Sequence, residues 1–400
     1  MGEEQHKKKS RKKIFLLILA VIAAVIGAGV YRLYRFYHQA NEALDQIQRY
    51  EIPKEEVKIN QEVETNEALQ GYTNLALFGL DTREGDLNQA NSDTIIIASI
   101  NHDKKEVKLV SVYRDTYLDI GEGLYRKANA AYANGGPSRA VKMLNENLDL
   151  DIEDYISVDF GALADVIDAL GGLTITVDEA ECVHLNNYCV ETSEATGGDY
   201  EELPGAGTYL MNGVQAVSYA RIRYTAGNDF KRTERQREVI AKLIEKAKKA
   251  DLKTLYRIVN AVFPEVLTSF EKKELVELGT SLITYSLGET AGFPFSHKTG
   301  GKGGSGDDEI PVTLESNVEE LHAYLFEEED YQASAKVKEI SAQIVEDTGY
   351  DEDTDASREN FTTQTGEDFE ETEASSEKEM ESGTKTELEA ESETEISSEP

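Results

Sequence analysis

The sequence predicts an α/β sandwich built on a mixed sheet and preceded by one N-terminal transmembrane helix. Three observations carry this expectation. Short apolar runs at residues 74–80, 94–100 and 107–112, separated by polar turns, have the length and composition of buried strands. Beyond them helical and strand patterns alternate, which adds helices to a sheet that starts antiparallel. Far upstream, residues 14–30 form an uncharged, almost wholly apolar run.

Taken in order, residues 1–13 form a basic tail containing K-K-K-S-R-K-K, and residues 14–31 form a signal anchor. About 17 apolar residues stand at the lower end of what crosses a bilayer, with Tyr31, Tyr34 and Tyr37 placed at the interface. The basic flank puts the N-terminus in the cytoplasm and the rest outside the cell membrane. A cleaved signal peptide is the competing reading; the long apolar run and the lack of a small-x-small site count against it. Residues 32–71 are polar, helix-prone and interrupted by Pro53, which suits a stalk.

The globular domain is expected over residues 72–350. Its first strand ends at Asp81 and Arg83, the second opens at Asp93, and the third ends at Arg114 and Asp115. Paired as antiparallel neighbours, the three strands bring these five residues to one edge. Gly135-Gly136-Pro137 opens a helix over 138–148. A strand at 154–160, a helix at 162–170 stopped by Gly171-Gly172, and a strand at 173–177 follow. Residues 178–207 form an excursion with both cysteines, Cys182 and Cys189, which either stay free or, outside the cell, close one small loop.

A helix is expected over 210–220, with Leu210, Val214 and Val217 on one face. Arg221 and Arg223 then flank Ile222 on an extended segment, so that both guanidiniums share a side and the isoleucine enters the core. From Asp229 the pattern is helical again, and Arg232, Arg235 and Gln236 project near the start, where free amides also favour an anion. Residues 296–306 are glycine-rich without the G-K-[ST] spacing of a phosphate loop and read as flexible linker. Residues 351–400 are dominated by Glu, Asp, Ser and Thr and read as a disordered acidic tail.

The formal net charge of -36 argues against nucleic acid as a partner. Against that background the concentration of arginines between Tyr219 and Gln236 needs an anion. Surface ion pairs are one reading, and a phosphate or pyrophosphate, whose oxygens the guanidinium fork matches in pairs, is the other. Carboxylates beside arginines suit a phosphate site that holds Mg²⁺ through oxygen ligands, with arginines stabilising charge in the transition state. No cysteine or histidine is placed as a nucleophile, and neither G-x-S-x-G nor H-E-x-x-H occurs.

G-L-D-T-R (79–83), N-S-D-T (91–94), S-V-Y-R-D-T-Y (111–117), K-A-N-A-A-Y-A-N-G-G (127–136) and Y-A-R-I-R with D-F-K-R-T-E-R-Q (219–236) follow one another in this order. Together they resemble the LytR–CpsA–Psr family over about residues 72–245. The resemblance implies an α/β/α sandwich that transfers a glycopolymer, such as teichoic acid or capsule, from a polyprenyl-pyrophosphate carrier to peptidoglycan. It implies Asp81 and Asp93 as ligands of Mg²⁺ (or Mn²⁺), and Arg83, Arg114, Arg221, Arg223, Arg232 and Gln236 as contacts to the pyrophosphate. Arg114, Arg221 and Arg223 would act in catalysis; Asp115 is a candidate base or, preferably, the partner that orients Arg114. The lipid would lie in an apolar channel between sheet and helices. Tyr113 stands where relatives carry Pro, and Ala128 replaces a larger apolar residue. Two other functions stand as alternatives: a non-catalytic regulator that binds polyprenyl phosphates, and a lipid pyrophosphatase that uses the same residues with water as acceptor.

Overall fold

The computed structural model describes residues 47–358, except 83–86, 89, 224–227, 252–253, 255–256, 259–261, 263–264, 283 and 305. The expected anchor at 14–31, Arg83 and most of the acidic tail lie outside the described residues. Among those described, no helix is long and apolar enough to cross a membrane.

The chain opens with β1 (Gln48–Arg49), α1 (Lys54–Val57) and α2 (Gln61–Glu64), then β2 (Tyr72–Asp81), β3 (Asn91–Asn101) and β4 (Glu106–Val112). A hairpin of β5 (Tyr117–Asp119) and β6 (Tyr125–Lys127) leads through α3 (Ala130–Ala133) to α4 (Gly136–Leu148) and β7 (Asp154–Asp159). Next come α5 (Phe160–Ala169), β8 (Leu173–Val177), α6 (Glu179–Thr196), β9 (Gly207–Met211), α7 (Gly213–Arg221) and α8 (Asn228–Lys248). Then follow β10 (Val266–Thr268), α9 (Lys272–Leu282), β11 (Ser286–Phe293), β12 (Ser296–Gly300), β13 (Asp308–Pro311), α10 (Leu314–Phe326), α11 (Ala335–Thr348) and β14 (Ser357–Arg358).

The main sheet has the order β1-β10-β7-β2-β3-β4-β11 and is mixed. The expected antiparallel triplet β2-β3-β4 is present, with Ala76 opposite Ile97 and Ile97 opposite Val110. β7 joins β2 in parallel and β11 joins β4 in parallel. Alternation sends Phe78, Ile97 and Val110 into a core shared with α4, α10 and α11, and Leu75, Ala98 and Leu109 toward α8 and α9 on the other face. Burial on both faces is why these strands read as near-continuous apolar runs. A second core lies among α5, α6, α7 and the β8–β9 hairpin, around Ile167, Ile175, Leu185 and Val217.

Four expectations are corrected. Residues 48–71 are not a free stalk: Ile52, Val57, Val63 and Leu69 are buried in the main core, and the Asn145 amide donates to the Val57 carbonyl at 3.1 Å. These apolar residues are too widely spaced among Glu and Lys to give a periodic signal. The body also continues past 350, since β14 pairs with β12. Leu210 lies on β9 opposite Thr174, not on the following helix. That helix starts at Gly213 because Asn212 and Gln215 cap each other, each side chain accepting from the other's backbone N–H. The glycine-rich stretch is a β12–β13 hairpin rather than a linker, with His297 opposite Pro311.

The cysteines are free and buried on α6, two turns apart. At the helical rise that is about 10 Å, beyond the reach of a disulfide. Gly136 opens α4 at φ +64, where a Cβ would lie 2.9 Å from the Asn88 carbonyl oxygen, so a side chain is disfavoured on both counts.

Candidate functional site

The parallel pairs β2/β7 and β4/β11 have their carboxyl ends at one edge of the sheet, the usual place for a ligand in an open α/β sheet. At that edge Gly79 pairs with Thr94 but Leu80 pairs with Ser92, which leaves Asp93 as the extra residue of a β-bulge. A bulge re-aims its side chain. Gly79 permits the pairing, because a Cβ there would fall 2.9 Å from Thr94 Cβ.

Asp93 is the hub of the first half of the site. Its Oδ1 accepts from Arg114 Nη1 at 2.6 Å, and its main-chain oxygen accepts from Arg232 Nη2 at 3.1 Å. Arg114 leaves the end of β4 and Arg232 lies in the first turns of α8, so three elements meet at one residue. Asp81 ends β2 opposite Asn91 and is exposed. Gln236 follows Arg232 by one turn and is buried.

Asp115 is the hub of the second half. Its Oδ2 lies 3.5 Å from Arg114 Nε and 3.4 Å from Arg223 Nη2, and its Oδ1 lies 3.3 Å from Lys127 Nζ. Three cations thus converge on one carboxylate. Lys127 also reaches Asp307 at 2.9 Å and Asp308 at 3.7 Å. Partial burial opposes its charge, yet the hydrogen bond to Asp307 and the field of Asp115 push the ammonium's pKa up overall. The same hydrogen bond holds the Asp307 carboxyl below its usual range, while burial raises that of Asp308.

The arginine-rich segment divides. Arg221 is the last residue of α7, not part of an extended strand, and Ile222 leaves the helix into the core. The Arg221 guanidinium turns toward α6: Nη1 donates to Thr192 Oγ1 at 2.9 Å, Nη2 lies 3.5 Å from Glu191, and the group stacks over the Phe160 ring at 4.9 Å. Only Arg223 reaches Asp115. Arg235 likewise turns away from Arg232, donating to Glu181 Oε1 at 2.9 Å and to the Ile222 carbonyl at 3.1 Å.

Lys127, Asp307 and Asp308 were not singled out from the sequence. Lys127 had a signal, as the one cation of an otherwise small and apolar K-A-N-A-A-Y motif. The two acids had none, because they arrive from a hairpin far along the chain. Behind the site, the Tyr113 ring packs edge-on against Phe230 at 4.8 Å, and Phe230 stacks on His297 at 4.5 Å.

Asp81 and Asp93 are the acids of adjoining strands that could hold a metal. Their oxygens suit Mg²⁺, which is commonly held by one or two carboxylates plus substrate phosphates and water. Among the described residues no three His, Cys, Asp or Glu side chains form a metal-holding group. Phosphate oxygens would therefore have to complete any ligand set.

Beneath α8 and α9 an apolar cavity of about 170 Å³ is lined by Leu77, Ala98, Leu109, Ile240, Ile244 and Leu282 among others. A larger cleft of about 700 Å³ lies at the opposite end of the sheet, around Tyr72, Asp151 and Asp154. Its rim carries acids and no cation, so it is a poor match for an anion.

Fold and site together define an α/β domain in which a cationic cluster, anchored by two buried-edge acids, opens at the strand ends above an apolar cavity. The LytR_cpsA_psr family model matches residues 30–287, and the chain belongs to that family. It is 32% identical over 277 residues to the polyisoprenyl-teichoic acid–peptidoglycan teichoic acid transferase TagU of Enterococcus faecalis, covering 68% of this chain and 83% of that protein. It is also 32% identical over 249 residues to TagU of Bacillus subtilis, covering 62% and 73%. Among solved structures it resembles protein gbs0355 of Streptococcus agalactiae, with a TM-score of 0.53 and 23% identity over 68% of this chain and 93% of that one. That likeness concerns the fold.

Proposed function

We propose that this protein transfers a glycopolymer, such as teichoic acid, from a polyprenyl-pyrophosphate carrier to a peptidoglycan sugar hydroxyl. The observation that carries the reading is that α8 joins two environments. Its first turns bring Arg232 to the acid–arginine cluster, and two turns later Ile240 and Ile244 line the apolar cavity. A ligand with a charged head and an apolar chain fits that sequence of surfaces. The names of the similar transferases agree with it.

In this reading Arg83, Arg114, Arg223, Arg232 and Gln236 hold the pyrophosphate, with Lys127 added and Arg221 flanking. The acceptor hydroxyl oxygen attacks the phosphorus bonded to the glycan, and its proton ends on the departing polyprenyl phosphate. A phosphodiester forms, the bridging P–O bond breaks, and polyprenyl phosphate leaves with the electron pair. Arginines fixed before reaction stabilise the charge that grows on the departing oxygen. Asp115, in contact with three cations, suits orienting them better than accepting a proton. Asp81 and Asp93 would hold Mg²⁺ (or Mn²⁺), which would supply charge neutralisation at the phosphates. Residues 1–31 would place the domain outside the cell membrane on a single anchor.

The test is reconstitution of the full chain with Mg²⁺, lipid-linked glycan and a peptidoglycan oligomer. A covalent glycan–peptidoglycan adduct is expected, falling about 100-fold or more in Arg114→Ala and Arg223→Ala. Free glycan phosphate as the product would instead make the protein a pyrophosphatase, and unchanged transfer in both variants would move the site elsewhere.

A further inference from the structure

Arg237 is the largest fully buried side chain of the described body, 1% exposed, and it lies outside the cluster described above. Its Nη1 is buried without a hydrogen-bond partner. Among the described residues no carboxylate forms an ion pair with it, whereas Arg235, also buried, is paired with Glu181. A guanidinium in such a place is costly, and a buried donor left unsatisfied calls for an explanation, of which a ligand is one.

Its position says which partner. Arg237 stands three residues before Ile240 and seven before Ile244, on the α8 face that covers the apolar cavity. Helical side chains lean toward the helix N-terminus, here the end at which Arg232 meets Asp93. The opposing sheet surface changes character at the same end. Leu109 lines the cavity; Thr290, its partner across the β4–β11 pair, and Ser111, two residues further along β4, both carry hydroxyls buried without a hydrogen-bond partner. Arg237, Ser111 and Thr290 thus lie beyond the cavity's lining, on the side of the cationic cluster, where both the sheet and α8 turn polar.

We propose that Arg237 binds the phosphate attached directly to the lipid, the group that departs on the polyprenyl chain, with Ser111 and Thr290 as supporting donors. This rests on the reading of the site as a polyprenyl-pyrophosphate site and adds to it a division of labour. The edge cluster holds the phosphate that goes to the acceptor. Arg237 holds the one that stays with the carrier, so it meets the charge that develops on the leaving group.

The experiment uses the full chain in detergent with three probes: geranylgeranyl phosphate, geranylgeraniol and inorganic pyrophosphate. Arg237→Met keeps the side chain's length without its charge, and Arg237→Lys keeps the charge. Arg237→Met is expected to melt no lower than wild type when unliganded, since an unpaired buried charge has gone. It should bind geranylgeranyl phosphate about tenfold or more weakly while binding geranylgeraniol as wild type does, and Arg237→Lys should recover much of the loss. Inorganic pyrophosphate, held mainly by the edge cluster, should be affected less than geranylgeranyl phosphate. Equal loss of geranylgeraniol and geranylgeranyl phosphate would make Arg237 a packing residue and overturn the proposal. So would unchanged affinity for geranylgeranyl phosphate in Arg237→Met. If wild type itself binds no geranylgeranyl phosphate, the polyprenyl reading falls along with this one.

Discussion

Asp307 offers a sharp test of how the cationic cluster is used, because it competes for one of its members. Its carboxylate accepts from Lys127 Nζ at 2.9 Å, yet its own side chain is 89% exposed. For Lys127 to reach a phosphate it must give up this partner while keeping Asp115 on its other side. An exposed ion pair contributes about 0.2–1 kcal/mol, so Asp307→Ala should tighten binding of inorganic pyrophosphate by up to about fivefold. The gain should be present at low ionic strength and vanish near 1 M salt, where the Debye length is about 3 Å. Asp103→Ala, which removes an exposed acid in the turn after β3 at the far end of the strands, controls for the general loss of negative charge. Isothermal titration of the two variants beside wild type gives the answer. Equal affinities for the two variants at low salt, or weaker binding in Asp307→Ala, would refute the idea that Lys127 belongs to the anion site.

Two further outcomes test the body that carries the site. Asn145 donates to the carbonyls of Val57 and Ile152 and accepts from the Ile152 N–H at 2.9 Å, all of it buried, so Asn145→Ala should lower unfolding free energy in urea by about 2–4 kcal/mol and loosen the segment before β2. His322 is fully buried, its Nε2–H donating to the Asp149 carbonyl at 2.9 Å and its Nδ1 3.8 Å from Glu328, and burial depresses its pKa below the usual 6.5. The unfolded chain then takes up the proton first: stability is complete above about pH 6.5 and declines as pH falls toward the folded-state value. His297, also buried with a lowered pKa, adds to the decline. The drop in urea midpoint between about pH 7.5 and about pH 5.5 should be smaller in His322→Gln than in wild type; an equal drop would place the proton uptake on other groups.

Much of the fold was legible because its strands are buried on both faces. The runs around Phe78, Ile97 and Val110 could be read as strands, and their order fixed which ends meet. Asp93 and Arg114 were brought together by that argument alone, and the structure adds what periodicity cannot carry, the bulge that sets the Asp93 side chain. Prediction failed where polar context masked burial. Ile52, Val57 and Val63 each stand alone among charged residues, and their contact with the main core is a long-range event. It also failed for side-chain direction. Arg221 and Arg223 alternate around Ile222 as expected, but a helix that ends at Arg221 turns the two guanidiniums toward different neighbours. Lys127 was missed because a single lysine beside small residues has no local reason to be functional until Asp115 and Asp307 appear next to it.

The residues after 287 lie beyond the family-model match, yet they are built into this body rather than appended to it. Phe293, Leu314, Leu321 and Ile344 fill the core on one face of the sheet, and β11 forms its edge. The same segment packs behind the site. Tyr113 fits only because residue 292 is glycine, where a Cβ would lie 1.9 Å from the Tyr113 hydroxyl, and His297 stacks on the Phe230 that packs against that ring. The β12–β13 turn then sets Asp307, 89% exposed, on the solvent side of Lys127, with the less exposed Asp308 next to it. An anion approaching from solvent therefore meets negative charge first, in a chain whose formal net charge is -36. Electrostatic steering from a distance works against such a ligand. On the proposed reading, a donor held in a membrane and fed into the apolar cavity by its lipid would not depend on steering: it would approach the arginines past Ile244 and Ile240, leaving the acidic rim to act on the acceptor.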